Sequence, residues 1–467
     1  MIQIDQEHPD YRRLAPTWAM YRDLYAGGRQ FKARAINYLM RRQKERLDVF
    51  SERLGNAFYE NYVGSIVDWY SSTLFRREPS LQYEGGLESG KQFLSELQDN
   101  CDRRGTKLTE FFQDAFKEAV VMGRSHILID FPRADKMPSN RAEEDASGLS
   151  RAFLVSYKTE DLINWCKDEK GCYEWAVIRT RVEKQLDVNS TERVTETIWR
   201  YYDRTYYKLY RRVEGSGEQS AAIESLGEGP HALANQQRVP LFDLEASESH
   251  WLMNKAAQLQ LEHFNKANAL GWAITMGLFA MPVIYSNREW NQIIGESYFI
   301  QLAPGDRFGY AEPDGKTYQI AAAHLETLKQ EIYRVCYLSQ ASGETSSGHA
   351  QSALSKQLDF KLTQEVLRAY GAWVKGVMRQ VLEAIVAARQ DDIRLAITGL
   401  DELDISDFAG ELQQATDLLA LGIASPTFKK QVFERLALKY LSDARQETKD
   451  QIVREIEAQI TGQLEKN

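Results

Sequence analysis

ASGETSSGHA, residues 341–350, is small, polar and without catalytic spacing, and it precedes SALSKQLDFKLTQEVLRAYGAWVKGVMRQVLEAIVAAR at 352–389. In that second stretch Leu354, Leu358, Leu362, Val366, Tyr370, Trp373, Val377, Val381 and Ile385 recur at steps of three or four, the period of one buried helix face. At 1.5 Å per residue such a helix reaches about 55 Å, the span of a domain. On the other side of the loop, Leu325, Leu328, Ile332, Val335 and Leu338 predict a helix over 320–339. A turn of roughly two to five residues would join two such helices. A longer Gly/Ser/Thr loop points to contact with a partner.

Upstream, the spacing predicts a long helix over 245–281 and a short β-containing excursion over 282–319, with Gly295, Pro304-Gly305 and Asp314-Gly315 as turns. Ala267 to Asn287 has no charged residue, and Leu270, Trp272, Ile274, Met276 and Leu278 give it the hydrophobicity of a membrane span. Asn268 at its start and Pro282 near its end favour a helix covered on several sides, as at a tight oligomer interface. Up to about residue 125 helical periods dominate, as in Phe111, Phe112, Ala115, Phe116, Ala119 and Val120. His126 to Phe131 reads as a short apolar strand, and 151–213 as a β-rich unit with strands at 153–157, 173–179, 195–202 and 205–212. The Gly-rich 214–238 reads as a flexible connection or hairpin tip. Ile393 to Ile397 is a strand, and Ser425-Pro426-Thr427 caps one of the helices of the tail.

Composition narrows the function classes. The 467 residues carry a net charge of -9 with 43% hydrophobic content, which fits a soluble globular chain and argues against a broad basic surface that grips nucleic acid. Cys101, Cys166, Cys172 and Cys336 form no CxxC pair and read as reduced thiols. The N-terminus has no secretory pattern, which leads us to expect a protein made and used inside a cell.

Gly85-Gly-Leu-Glu-Ser-Gly-Lys91 satisfies the first part of a phosphate-binding loop, and a nucleotide-binding enzyme is the alternative it offers. Gln92 stands where the Mg²⁺-holding Ser or Thr belongs, and Glu88 puts a carboxylate where phosphate would lie. The seven histidines lack metal-ligand spacing, Ser347-Gly348-His349 lacks a nucleophile elbow, and the acids at 391–392 and 401–404 lack a Ca²⁺-loop pattern. No catalytic, metal or cofactor residue is assigned. Residues 267–287 offer a second alternative, a membrane-associated assembly factor.

The order of elements resembles the portal, or head-to-tail connector, family of tailed bacteriophages. Asp243-Leu-Glu-Ala with Gln258-Leu-Gln-Leu-Glu-His-Phe264 looks like the family's first stem helix, and Phe279-Ala-Met-Pro-Val-Ile284 like its exit into the clip. Ala341-Ser-Gly-Glu-Thr345 and Ala353-Leu-Ser-Lys-Gln357 resemble the segment before the long helix. The resemblance implies an α+β, mainly helical subunit. Residues 1–244 would form a wing, helical then β-rich, with 245–281 and 320–339 as stem helices and 282–319 as clip. A tunnel loop would occupy 340–351, the long helix and return strand 352–404, and a helical crown 405–467.

The resemblance further implies a non-enzymatic ring of about twelve copies at one capsid vertex. Double-stranded DNA would pass through it on packaging and ejection. Its partners would be the terminase large subunit, a head-completion or tail adaptor protein, and the major capsid and scaffolding proteins, with no membrane. It would reside in the virion, and in the host cytoplasm during assembly. Ser342, Gly343, Glu344, Thr345, Ser346, Ser347, Gly348, His349 and Lys356 would face DNA. Arg288, Trp290, Tyr298, Arg307, Tyr310 and Lys316 would meet clip partners. Leu270, Trp272, Ile274, Leu278, Leu328 and Ile332 would pack the stem.

Overall fold

The computed structural model describes residues 3–132, 148, 150–185, 188, 191, 193–214, 222–278, 281–285, 304–311, 315–338, 353–400, 415–417, 425–440, 448, 451–456 and 458. The chain opens with helices α1 (Pro9–Ala26), α2 (Gly28–Arg34), α3 (Leu47–Asn56), α4 (Tyr62–Leu74), α5 (Glu88–Asp99) and α6 (Leu108–Met122), with β1 (Ser80–Gly85) between α4 and α5. A run of strands follows: β2 (Arg124–Asp130), β3 (Phe153–Tyr157), β4 (Leu162–Lys167), β5 (Tyr173–Gln185), β6 (Arg193–Asp203), β7 (Tyr206–Glu214), β8 (Glu224–Pro230) and β9 (Leu241–Glu245). Then come α7 (Leu252–Leu278), β10 (Met281–Tyr285), β11 (Arg307–Ala311), α8 (Gly315–Val335), α9 (Ala353–Arg389), β12 (Ile393–Thr398) and α10 (Pro426–Tyr440). The class is mixed α+β. Two compact units form, Met1–Met20 with Val67–Asn254 and Gly348–Asn467, and Tyr21–Ile66 with Lys255–Ser347.

The first unit is organised by α9. Its Leu367, Tyr370, Val374, Val377, Val381 and Ile385 are buried, the three-four alternation of one helix face. Tyr370, fully buried, meets Tyr70 of α4 and Phe116 of α6 edge-on at 5.6 and 5.2 Å, and its hydroxyl donates to the His250 carbonyl at 2.9 Å. The apolar stripe of α6 is buried throughout. That helix stops at Gly123, whose φ of 89° is left-handed and whose missing side chain leaves room for Trp251, 2.9 Å from where a Cβ would sit.

Next to this layer β4-β5-β6-β7-β8 form an antiparallel meander, and β3-β2-β9 a three-stranded antiparallel sheet. Leu128, Tyr157 and Leu241 of the smaller sheet share a core with Leu162, Ala176, Ile178 and Tyr202 of the larger. One polar pair lies inside the strands. His126 and Asp243 are direct cross-strand partners, with Nδ1 and Oδ1 2.7 Å apart, and Asp243 also accepts from Lys167 Nζ at 2.9 Å and the Tyr173 hydroxyl at 2.5 Å. Burial alone would push this carboxyl up. His126, Lys167 and Tyr173 together outweigh burial and hold it well below the usual carboxylate range.

Several expectations meet corrections. The helix expected from 245 begins at Leu252, because Leu241 to Glu245 pair with β2 as a strand and the Asp243 carboxylate is needed there. The segment 214–238, expected as a flexible connection or hairpin tip, contains β8, a Gly-containing edge strand that returns antiparallel along β7. β1 and β4 were not foreseen; β1 pairs with β12 from Ser80 opposite Thr398 to Gly85 opposite Ile393. The helix expected over 320–339 runs from Gly315 to Val335, since no breaker follows Gly315. Ser425 caps α10, its hydroxyl accepting from the Phe428 amide at 3.3 Å.

The buried pair gives a testable outcome. Asp243→Asn leaves Lys167 and His126 facing a neutral amide and is expected to cost about 3–5 kcal/mol at pH 7. A carboxyl held low stabilises the fold above its unfolded pKa of about 4 and loses that effect as pH falls further. Urea midpoints of wild type and D243N should therefore converge as pH drops from about 5 towards 2.

Candidate functional site

The second unit carries an arm made of α7, the β10–β11 strand pair and α8. Near one end of the arm Lys255 Nζ of α7 donates to the hydroxyl of Tyr337, just past α8, at 2.9 Å. Near the other, the Tyr318 hydroxyl of α8 donates to the Ala273 carbonyl of α7 at 3.2 Å. Low numbers on one helix meet high numbers on the other, so α7 and α8 run antiparallel over about 27 Å. Between these anchors the Tyr62 ring lies edge-on to His263 at 5.0 Å and 6.2 Å from Tyr333. Burial pushes His263 below the usual imidazole range, with Glu60, 3.6 Å away, opposing that shift.

Side-chain amides pin α7 to the segments beside it. Asn268 accepts from the Phe58 amide at 3.0 Å and donates to the Phe58 carbonyl at 2.9 Å, as a paired strand would. Asn265 accepts from the Met40 amide at 2.8 Å and donates to the Tyr38 carbonyl at 3.1 Å. Gln260 does the same for the Val63 amide and Glu60 carbonyl, at 3.3 and 2.8 Å. Backbone groups of irregular segments thereby gain the partners that burial requires. Phe31 completes the packing: it stacks on Tyr59 at 3.9 Å and meets Phe264 of α7 edge-on at 5.0 Å.

Beyond these anchors the character of the arm changes. In α8 Leu328 and Ile332 are buried, whereas Ile320 is 71% exposed. In α7 Phe264 and Ala267 are buried, Leu270 and Trp272 are half-buried, and Ile274 is 43% exposed. Tyr285, at the end of β10, is 66% exposed. β10 and β11 pair antiparallel from Met281 opposite Ala311 to Tyr285 opposite Arg307, and no other described strand joins them. Pro282 is compatible with such a ribbon, since proline is confined to edge strands and both strands of a two-stranded ribbon are edges.

Of the residues singled out in the sequence, Arg307 is exposed opposite Tyr285, Tyr310 lies opposite Pro282 in the ribbon, and Lys316 is exposed in the first turn of α8. Lys356 lies on α9 and Leu278 at the end of α7. Ser342, Gly343, Glu344, Thr345, Ser346, Ser347, Gly348, His349, Arg288, Trp290 and Tyr298 lie outside the described residues, as does nearly all of the segment read as crown before Ser425. The pinning amides escaped the sequence reading because Asn and Gln on a helix ordinarily signal solvent. Their only sequence signal is a spacing, 260, 265 and 268, close to one face.

The glycine loop 85–91 has a structural explanation. A Cβ on Gly86 would lie 2.3 Å from Ile393 Cγ1, and one on Gly90 2.9 Å from Ile393 Cδ1 and 3.1 Å from Asp391 Cγ. Close packing of Ile393 and Asp391 therefore accounts for glycine at these two positions, and the Gly90 and Lys91 amides donate to the Leu87 carbonyl. The adjoining Asp391 is paired with buried Arg389 at 2.8 Å. No helix among the described residues is long and apolar enough to cross a membrane.

Asn268→Ala removes both side-chain partners of the Phe58 backbone, part-buried hydrogen bonds worth about 0.5–1.5 kcal/mol each. Hydrogen exchange should show the Phe58 amide losing protection while amides of α6 keep theirs; an unchanged Phe58 rate would contradict the pinning role.

No protein-family model matches the chain, and no curated protein matches it. Solved structures are similar to it at low identity. One, the neck of an empty gene transfer agent particle computed with C6 symmetry, is 13% identical with a TM-score of 0.41, covering 78% of this chain and 87% of that one. A chain of the virion of a native gene transfer agent particle is 12% identical with a TM-score of 0.38, covering 84% and 94%. A third, the neck of the native particle computed with C12 symmetry, is 13% identical with a TM-score of 0.36, covering 78% and 87%. With each TM-score below one half, no functional conclusion is based on these likenesses.

Proposed function

We propose that the chain is a non-enzymatic portal subunit. Copies of it form a ring at one vertex of a phage-type capsid, the ring is a channel for double-stranded DNA in packaging and ejection, and it is a docking site for terminase and tail or adaptor proteins. The observation that carries this reading is the arm. Two antiparallel helices are pinned at their base, lead to a two-stranded ribbon, and expose Ile274, Ile320 and Tyr285 away from that base. A two-stranded ribbon is marginal in water by itself and gains stability where it and the exposed apolar side chains beside it pack against another chain. A closed ring of identical copies supplies that cover for every arm.

The order of elements supports the same reading: helix, ribbon, helix and then the 37-residue α9, as the resemblance to portals requires. In this reading residues 342–349 with Lys356 form the loop facing DNA, and Arg288, Trp290, Tyr298, Arg307, Tyr310 and Lys316 serve the ribbon's partners. ATP hydrolysis belongs to a separate terminase, which fits the filled glycine loop. The net charge of -9 keeps the duplex from adhering as it passes.

Negative-stain microscopy of the purified protein is expected to show rings with a central hole; compact monomers alone at high concentration would overturn the proposal. Ile274→Asp with Ile320→Asp should abolish rings while changing monomer stability by no more than about 0.5 kcal/mol, as exposed positions allow. Deleting 343–348 should leave rings intact and impair DNA packaging, and loss of rings on that deletion would make the loop a structural element instead.

A further inference from the structure

Segment 29–46 holds seven Lys or Arg residues against a single acid, in a chain that is acidic overall. That acid, Glu45, is only 3% exposed and its charge is used internally: Arg53 Nη1 donates to both carboxylate oxygens at 2.7 and 2.8 Å. Two of the bases are also used internally. Lys32 Nζ donates to the carbonyls of Leu54, Gly55 and Ala57 at the end of α3, and Arg34 pairs with buried Asp23 at 3.4 Å. The outward charge of the loop 41–46 is therefore Arg41, Arg42, Lys44 and Arg46, all exposed.

Its frame is fixed. Asn265 holds the Met40 amide and the Tyr38 carbonyl on one side of the loop, and Glu45 holds the Arg42 amide at 3.1 Å from within. Arg41 donates to the Glu45 carbonyl at 2.6 Å, which curls the loop back on itself. Arg46 is shared with Asp48 at 2.8 Å in an exposed pair, which a competing anion replaces at little cost. No hydrogen bond or ion pair is made by the side chains of Arg42 and Lys44 among the described residues, although the Arg42 charge helps to hold the Glu45 carboxyl below its usual range.

We infer that this loop binds the phosphate backbone of duplex nucleic acid. Clustered bases on a preorganised backbone are the electrostatic footprint of a polyanion site, and guanidinium groups suit phosphate oxygens. The run Arg-Arg-Gln-Lys-Glu-Arg contains no apolar side chain that would anchor a protein partner; exposed Met40 and Leu47 stand outside it, one at each end. Because the rest of the chain is acidic, the duplex is held at this loop and repelled elsewhere, so contact is local and reversible. The inference rests on charge and burial within one unit and is independent of ring formation.

Fluorescence anisotropy of a labelled 30-bp duplex with the full chain, from 50 to 200 mM NaCl, tests it. Four phosphate contacts predict a log–log salt slope of roughly −3.6. Arg42→Ala with Lys44→Ala, which breaks no internal bond, should reduce the slope to roughly −1.8 and leave the melting temperature unchanged. The inference is overturned by absence of duplex binding at 50 mM salt, or by a slope unaffected in the double variant. It is also overturned if Met40→Ser with Leu47→Ser, and not the loss of the bases, removes duplex binding, because the contact would then be apolar and not one of bases with phosphates. Microscopy of the double variant is expected to show the same assembly state as wild type, so failure here and failure of the ring reading give separate results.

Discussion

One continuous apolar face on α9 governs the first unit. Most of the stability of a helix in a protein comes from packing of its apolar face, and in this 37-residue helix Leu367, Tyr370, Val374, Val377, Val381 and Ile385 leave water together. Tyr370 sits where that face meets α4, α6 and the turn at His250, and its hydroxyl finds an acceptor that an apolar interior otherwise lacks. The close approach of Trp251 to Gly123 follows from the same crowding, as does the filling of the glycine loop by Ile393 just beyond the end of α9. What the sequence presents as a phosphate-loop fragment is thus a consequence of helix and strand needing to lie close.

The second unit solves a different problem. Among the described residues, the hydrogen bonds that tie α7 to the neighbouring segments concentrate between Gln260 and Asn268. Three side-chain amides there each satisfy an N–H and a C=O of neighbouring irregular backbone. Hydrogen bonds of this kind fix direction better than apolar contacts do, because both donor and acceptor geometry must be met. Past Asn268 the described apolar residues Ile274, Tyr285 and Ile320 are exposed.

Much of the fold was legible in the sequence. Periods of 3.6 located α4, α6, α8 and α9, and aromatic, β-branched runs located β3, β5, β6 and β7. The misses share a cause. β8 has glycines and acids, β1 begins beside a proline, and β9 was absorbed into a neighbouring helical pattern; each is a strand because a partner strand is present, with little propensity of its own. Of the candidate site residues, the apolar ones on α7 and α8 could be chosen from spacing, but which would be buried within the chain and which left exposed could not. Leu328 and Ile320 look alike in a periodic pattern, yet one is buried and the other open.

The sequence by itself determined most of the helices and the aromatic strands, the long helix over 353–389, the acidic balance and the concentration of bases at 29–46, because composition and period act locally along a chain. Only the tertiary structure decided how those charges and amides are used. Glu45 turns inward and Lys32 and Arg34 are tied to acceptors within the chain while Arg42 and Lys44 remain outward, and Asn265 and Asn268 become surrogate backbone partners in place of solvent-facing polar groups. The reason is physical: desolvation and hydrogen-bond satisfaction depend on what lies within a few ångströms in space, and residues two hundred positions apart, such as Phe58 and Asn268, acquire that proximity only on folding.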